Sequence, residues 1–304
     1  MKIRHYLSLL FFIGLLSPIF AQQTAVFTDA NASYKRGVEF FDKGLYAAAN
    51  VEFTEVLNAN VPVQEPKFRD LQMKAELYAA KTAVRMGHPD GEKIMLDFIR
   101  TYSPEPIASQ AILEAANYYY NDKEFEKALE FLEMVNTFDL SENQRSEVLF
   151  KKGYVYFVNK KFAEAKAALG KTKDIRNEYY EPSNYYYGMT AFFDGDYDSA
   201  TQSFQKIATT QKYKPHVPFY LTQIYFAQGD YDKVINYATP LINEPKLKKR
   251  KELHQLIGQA YFEKKQYTEA LPYLEFYAES ASKMREQEFY QLAYAQYQTQ
   301  NYKE

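Results

Sequence analysis

The sequence predicts an all-α solenoid, a stack of helix–turn–helix units without a sheet. The first observation behind this prediction is a pattern that returns about every 35 residues. Each copy has a small residue, an aromatic, Gly or Lys, a second aromatic, Ala and a large apolar residue. The second observation is that Gly (11) and Pro (12) are sparse in 304 residues, which argues against strands joined by tight turns. The clearest copy comprises Gly37, Phe40, Gly44, Tyr46, Ala49, Phe53 and Val56.

Further copies of the pattern follow along the chain. They place Gly153, Gly188 and Gly258 at the small position, and weaker copies place Ala116 and Ala293 there. Each copy predicts two antiparallel helices with a short turn at the Gly or Lys position. The small residue on the first helix lets the second helix approach closely, because interiors pack near crystal density. An alanine on the second helix does the same from the other side, at Ala49, Ala128, Ala165, Ala200 and Ala270.

This spacing resembles the tetratricopeptide repeat, a helix–turn–helix unit of 34 residues. The resemblance implies a right-handed superhelix of about eight repeats over residues 31–304, after a short segment at 22–30. The second repeat departs from the pattern at Gly87–Gly91, so a helix pair is expected there without a predicted geometry. The last repeat stops after its turn, and we therefore expect it to be incomplete and the natural chain to be longer.

The first residues of the chain predict export. Lys2 and Arg4 precede an apolar run over residues 7–20 and then Ala21, which is the arrangement of a cleavable signal peptide over residues 1–21. The run is shorter than the roughly 20 apolar residues of a membrane span, and an uncleaved anchor is the alternative interpretation. No later stretch reaches that length. We therefore expect an exported, periplasmic protein, free or peripheral to the outer membrane, with no transmembrane segment in the mature chain.

No catalytic or cofactor motif is apparent in the sequence. The absence of cysteine excludes disulfides, thiolate catalysis and iron–sulfur clusters. His88, His216 and His254 fall in different repeats without the spacing of metal ligands. Gly170–Thr172 imitates the end of a phosphate-binding loop but is better explained as a helix end. Asp194–Asp198 imitates a calcium loop but is better explained as the turn between two helices. We predict a non-enzymatic protein with no cofactor and no metal.

One dense run of positive charge lies at Lys246–Lys251. The net charge of the whole chain is −2, so no global basic field attracts nucleic acid, and none is expected as a partner. A solvated loop between repeats is one interpretation of the run. A docking site for an acidic partner or for phosphate headgroups is the other.

Aromatic side chains, 29 Tyr and 23 Phe, form the candidate binding surface. In a tetratricopeptide superhelix the first helices line the concave surface. Positions three before, one after and four after the small residue are exposed there. In this chain they hold mostly Tyr and Phe, interrupted in the seventh repeat by Gln255 and Gln259. The predicted partner-binding residues are Phe150, Tyr154, Phe157, Tyr185, Met189, Phe192, Phe193, Phe219, Phe226, Tyr290 and Tyr294.

Such a surface would display on the order of 1,000 Å² of apolar area, whereas the largest patch of a typical monomer is roughly 300–600 Å². We therefore expect a partner polypeptide to cover it; the alternative is that the rings pack on one another. The leading hypothesis is an interaction scaffold of the bacterial cell envelope, within a larger outer-membrane assembly or secretion complex. The alternative is an N-terminal sensing or substrate-positioning module of a longer chain with a catalytic or regulatory C-terminal domain. Glycan binding by the rings is a third hypothesis.

Overall fold

The computed structural model describes residues 26–59, 66–138 and 140–300, and every regular element in these ranges is helical. Fifteen α-helices and one short 3₁₀-helix lie there, so the prediction of an all-α helical-repeat solenoid is confirmed. The predicted signal peptide at residues 1–21 lies outside the described residues. The chain divides into two compact units, Met1–Phe138 and Asp139–Glu304.

The first unit contains six helices within its described ranges. The pair expected over the irregular second repeat is present, with Gly87 in the turn between its helices. Phe53, Val56 and Phe68 are fully buried and form part of the core of this unit. The helices are α1 (26–42), α2 (Tyr46–Asn58), α3 (Pro66–Arg85), α4 (Gly91–Tyr102), α5 (Pro106–Asn121) and α6 (Phe125–Met134).

The second unit contains nine α-helices within its described residues. The second helix of its third pair is the shortest of them, and the 3₁₀-helix Thr239–Leu241 follows it directly. The helices are α7 (Glu142–Val158), α8 (Phe162–Gly170), α9 (Tyr180–Phe193), α10 (Tyr197–Ile207), α11 (Val217–Ala227), α12 (Tyr231–Ala238), α13 (Arg250–Glu263), α14 (Tyr267–Ser280) and α15 (Glu286–Gln298).

The two helices of a pair touch where the sequence pattern places its small residues. A Cβ atom added to Gly188 would lie 2.8 Å from the Phe204 ring, and one added to Gly153 would lie 2.5 Å from Cγ of Leu169. These distances are shorter than van der Waals contact, so only glycine fits without movement of the second helix. The five pattern alanines of the second helices are fully buried, as the close approach requires.

The Gly or Lys position of the pattern is a left-handed residue in the turn between the paired helices. Glycine adopts this conformation without a steric penalty, whereas a residue with a Cβ atom is strained by it. Some repeats therefore accommodate strain at a lysine where others have glycine. The left-handed turn residues at this position are Gly44, Gly195, Gly229, Lys123, Lys160, Lys265 and Gln300.

Within each unit, extensive contacts join helices that are adjacent or next but one in sequence. The first helices of successive repeats in the second unit, such as α7 and α9 or α13 and α15, therefore lie side by side. Their side chains form the candidate surfaces described below. None of the helices in the described ranges combines the length and the apolar character needed to cross a membrane.

Candidate functional site

Aromatic rings from α7, α9 and α11 form one connected surface in the second unit. On α7, Phe150, Tyr154 and Phe157 follow the i, i+4, i+7 spacing that places side chains on one face of a helix. Neighbouring rings of the surface have centroids 4.9–6.4 Å apart, the range of favourable aromatic pairs. We call this surface the aromatic face and define it as Phe150, Tyr154, Phe157, Tyr185, Tyr186, Phe192, Phe193, Phe219 and Tyr220.

Tyr186 lies at the centre of the aromatic face, although it is not among the partner-binding residues predicted from the sequence. Its ring centroid is 4.9 Å from that of Tyr154, 5.3 Å from that of Phe157 and 6.2 Å from that of Phe150. Burial, and then the neighbouring Tyr154 hydroxyl, raises the pKa of Tyr186 to about 12. The signal that could have found it is its position two residues before Gly188. Tyr220, which also belongs to the aromatic face, has the matching position in the next repeat, two residues before Thr222, where the sixth repeat has its small residue.

The predicted rings of α7, α9 and α11 are mostly half-buried, so both interpretations of the stripe hold in part. The rings pack on one another, and they also keep exposed edges. Phe193 is the most accessible of them, with 54% of its surface exposed, and it stacks on Phe162 at a centroid distance of 5.5 Å. The predicted rings that are half-buried in this part of the chain are Phe150, Tyr154, Phe157, Tyr185, Phe192, Phe219 and Phe226.

Met189 departs from its expected place on the open surface. It is buried and belongs to the apolar core of the fifth and sixth repeats, together with Leu221 and Ile224. An unbranched thioether fills such a gap readily, whereas a ring at this position would need more space.

Phe226 contacts Tyr231 at 5.4 Å and has no ring contact with the aromatic face. The structure therefore brings together fewer of the predicted residues than the periodic spacing suggested.

Tyr290 and Tyr294 belong to a separate cluster on α13–α15. Their rings stack on each other at 5.7 Å, and Tyr294 contacts Phe262 at 5.8 Å. Tyr290 is 61% exposed, whereas Tyr294 is half-buried. The predicted stripe is thus divided into two ring clusters in the second unit.

Buried amides occupy the positions of α13 that were expected to be open. The Nε2 atom of Gln255 donates to Oε1 of Glu288 at 2.7 Å, and Nε2 of Gln259 donates to Oε1 of Gln291 at 2.9 Å. Burial opposes ionisation of Glu288, but hydrogen bonds from the Arg285 backbone N–H and guanidinium outweigh it and lower its pKa. We call these two pairs the amide ladder. The expectation that Gln255 and Gln259 line an open surface is wrong, because α15 packs directly on α13 and covers them.

The two loop motifs have structural roles. Asp196 accepts from the backbone N–H of Ser199 at the start of α10 and lies 2.7 Å from Nζ of Lys166. The Lys166 ammonium and the Ser199 hydrogen bonds lower the pKa of Asp196 to about 2. Helix α8 ends at Gly170, and the hydroxyl of Thr172 donates to the carbonyl of Leu169, so that motif is a helix end.

A cleft of about 560 Å³ lies between the α10–α11 connection and the segment that follows α12. The spacing of the repeats does not predict this cleft, although the basic run at Lys246–Lys251 borders it. Its most informative lining residues are Ala208, Lys214, Pro218, Tyr237, Leu241 and Lys246.

Comparisons with known proteins bear on the fold alone. No protein-family model and no curated protein sequence matches this chain. A solved structure of MamA from AMB-1 is similar with a TM-score of 0.51 and 17% identity, covering 60% of this chain and 97% of that one. A tetratricopeptide repeat protein from Parabacteroides merdae gives 0.47 and 14% identity, covering 88% and 99%. The C-terminal part of a repeat-containing protein from Cytophaga hutchinsonii gives 0.47 and 12%, covering 95% and 98%.

The helix pairs and the MamA similarity define the class of fold. The chain has the tetratricopeptide-repeat fold, so the resemblance read from the spacing of the repeats is confirmed at the level of fold.

Proposed function

We propose that this protein is a non-enzymatic interaction scaffold that binds a segment of a partner polypeptide on the aromatic face. The observation that carries the proposal is the connected set of rings across α7, α9 and α11, with Phe193 exposed at its edge. Interface energy is usually concentrated in a few aromatic anchors, each worth about 2 kcal/mol or more.

Mutual packing of the rings supports this assignment. Tyr186 is held by Phe150, Tyr154 and Phe157, so little rotamer freedom is left to lose when a partner binds. Such preorganisation raises affinity because it lowers the entropic cost of association. The exposed edge of Phe193 then offers an apolar contact of the kind that an aliphatic or aromatic partner side chain fills.

Negative charge at the other end of the aromatic face, away from Phe193, indicates a second feature of the partner segment. Glu178 and Glu181 make no ion pair within the described residues, and they lie where α9 begins. Burial, and then the neighbouring Glu147 and Glu178 carboxylates, raise the pKa of Tyr179 to about 12, and its ring is 5.4 Å from that of Phe150. We therefore expect a partner segment with an apolar anchor at Phe193 and a Lys or Arg about 18 Å from it, because Glu181 lies 12 residues before Phe193 on α9 and complementary charge favours docking in this orientation.

Substitution of Phe193 gives a sharper test of this proposal than substitution of a half-buried ring, because removing this exposed side chain disturbs the packing of the helices least. Phe193→Ser should weaken binding of the partner by about 2 kcal/mol, or roughly thirtyfold. Phe289→Ser is the matched control, because Phe289 is 59% exposed on α15 and lies outside the aromatic face. A photo-reactive phenylalanine at position 193 should cross-link the partner in cells, and one at 289 should not. Equal capture by both variants would mean that the binding surface lies elsewhere.

We propose that the protein acts in the bacterial cell envelope, as part of a larger complex. The support is the sequence of residues 1–21, with Lys2 and Arg4 before an apolar run that ends near Ala21. Cleavage after Ala21 would release a periplasmic protein, free or peripheral to the outer membrane. Mass analysis of the N-terminus after cell fractionation tests this: an intact N-terminus in the membrane fraction would identify an anchor instead.

A further inference from the structure

The cleft beside α12 exists because this helix ends early. Pro240 lacks the N–H that a helix interior needs, and its ring clashes with the preceding turn, so α12 stops at Ala238 after eight residues. The corresponding second helices α8, α10 and α14 of the same unit have 9, 11 and 14 residues. Space that the last turns of a longer helix would fill is therefore open between α12 and the α10–α11 connection.

The walls of the cleft are fixed by polar contacts. The backbone N–H of Lys248 donates to the Pro215 carbonyl at 2.9 Å, which ties the α12–α13 connection to the α10–α11 connection. Nζ of Lys214 lies 3.1 Å from Oε2 of Glu244, and Nη2 of Arg250 donates to the Glu244 carbonyl at 2.7 Å. The cleft is therefore pre-formed, and its volume of about 560 Å³ lies within the range of small-molecule sites.

The lining of the cleft combines an apolar floor with positive charge. Ala208, Pro218 and Leu241 supply apolar surface, while the hydroxyl of Tyr237 makes no hydrogen bond within the described residues. Burial, and then the neighbouring Tyr225, raises the pKa of Tyr237, so the hydroxyl stays a donor. Lys246 makes no ion pair within the described residues, whereas Lys214 is neutralised by Glu244. Thr209 and Gln211 add uncharged polar groups to the lining, so one net positive charge faces a largely apolar cleft.

We propose that this cleft binds a small amphipathic anion, with an apolar chain or ring on its floor and a carboxylate, sulfonate or phosphate near Lys246 and Tyr237. The site is distinct from the aromatic face and does not depend on the function proposed for it. A free amphiphile and a lipid headgroup share this chemistry. The volume of the cleft, about 560 Å³, favours the free molecule.

The anionic dye 1-anilinonaphthalene-8-sulfonate is a suitable probe, and the neutral dye N-phenyl-1-naphthylamine is its uncharged counterpart. The anionic dye should bind the full chain saturably, more tightly than the neutral dye, and decanoate should displace it. Leu241→Asp should weaken binding of the anionic dye by more than about tenfold, because it places a like charge on the cleft floor. Asn243→Asp is the matched control, since it adds the same charge at an exposed neighbouring residue.

A second pair of variants tests the positive charge. Lys246→Gln should weaken binding of the anionic dye by about threefold and leave the neutral dye unchanged, because an exposed ion pair contributes little. Lys251→Gln removes the same charge from the basic run outside the cleft lining and should have no effect.

Two further readouts separate this site from other surfaces. Phe193→Ser should not alter displacement of the dye by decanoate, which distinguishes the cleft from the aromatic face. Circular dichroism should show that Leu241→Asp stays helical. The proposal is overturned if Leu241→Asp and Asn243→Asp bind the anionic dye equally, if the neutral dye binds as tightly, or if vesicles of anionic lipid displace the dye and decanoate does not.

Discussion

Two junctions between first helices of the second unit use the same repeat positions for different chemistry. At α9 the position three before the small residue holds Tyr185, a half-buried ring of the aromatic face, and the position one after it holds the buried Met189. At α13 the same positions hold Gln255 and Gln259, which form the amide ladder with α15. The first junction is joined by rings that stay half-buried. The second combines the buried hydrogen bonds of the amide ladder with the ring contacts of Phe262, Tyr290 and Tyr294.

This difference shows how a repeat can be open for binding at one place and sealed at another. A ring remains favourable with part of its edge in water, because its packing energy does not depend on a single partner atom. A buried amide needs its hydrogen-bond partner, and leaving it unpaired costs about 1–3 kcal/mol. The amide ladder therefore closes its own part of the α13–α15 junction, whereas the rings, in the aromatic face and at Tyr290 alike, keep accessible apolar surface.

The largest effect is expected at the centre of the aromatic face. Tyr186→Ala removes a ring held by three others, and we expect the free energy of unfolding to fall by about 2–4 kcal/mol. Tyr186→Phe keeps the ring and removes only the hydroxyl, so it should cost less than about 1.5 kcal/mol. Urea unfolding monitored by circular dichroism measures both. Equal losses in the two variants would show that the hydroxyl, rather than the ring, holds this junction.

The amide ladder should respond differently to single and paired substitution. Gln259→Leu leaves the buried carbonyl of Gln291 without a donor and should cost about 1–3 kcal/mol. The double variant Gln259→Leu with Gln291→Leu removes both polar groups and should recover much of that loss. Gln287→Leu, on the exposed side of α15, is the control. A double-mutant cycle without coupling would mean that the hydrogen bond contributes nothing.

The contributions of the two junctions to stability should depend on pH at opposite ends of the scale. The pKa of Tyr186 is raised from 10.0 to about 12 in the folded protein, so its stabilising contribution is complete below pH 10 and lost as pH rises towards 12. The pKa of Glu288 is lowered, so its contribution is complete above its ordinary value of 4.5 and lost as pH falls below it. Tyr186→Phe should flatten the alkaline limb of a stability–pH curve, and Glu288→Gln the acid limb. If Tyr186→Phe flattened the acid limb, or Glu288→Gln the alkaline limb, these two pKa assignments would be contradicted.

The smallest effect is expected at the turns, which are alike in both regions. Lys160 and Lys265 have φ values of 59° and 60°, a conformation that strains residues other than glycine. Lys160→Gly and Lys265→Gly should therefore each raise the free energy of unfolding by about 0.5–1 kcal/mol, after the entropy of glycine is subtracted. Lys152→Gly, inside α7, should lower it by about 1 kcal/mol. A gain at only one turn would show that the junction next to it modifies the strain.

The sequence predicted well those features that depend on sterics between paired helices. Gly153 and Gly188 have no room for a Cβ atom, and the period of the chain follows from this repeated constraint. The position of the turn was also predictable, because a left-handed residue recurs at the Gly or Lys site.

The surface chemistry was less predictable, because spacing gives the face of a helix but not what covers it. Gln255 is covered by α15, whereas Tyr290, at the same position of the next repeat, remains exposed, and the repeat position does not separate them. Tyr186 was missed because it lies between the positions that the resemblance marks as exposed. The cleft was missed because it results from the early end of α12 at Pro240, which is a feature of one repeat and not of the period.

The connection of each helix mainly to its sequence neighbours also governs how the protein gains and loses structure. Contacts between near neighbours need little loop closure, so each unit should have low contact order and fold rapidly. The free energy of folding of such an array is nearly the sum of the stabilities of its repeats and of the interfaces between neighbouring repeats. Local unfolding of one repeat therefore spreads only through the interface beside it. Amide hydrogen exchange should therefore vary in steps from repeat to repeat, and damage to one repeat should remain local.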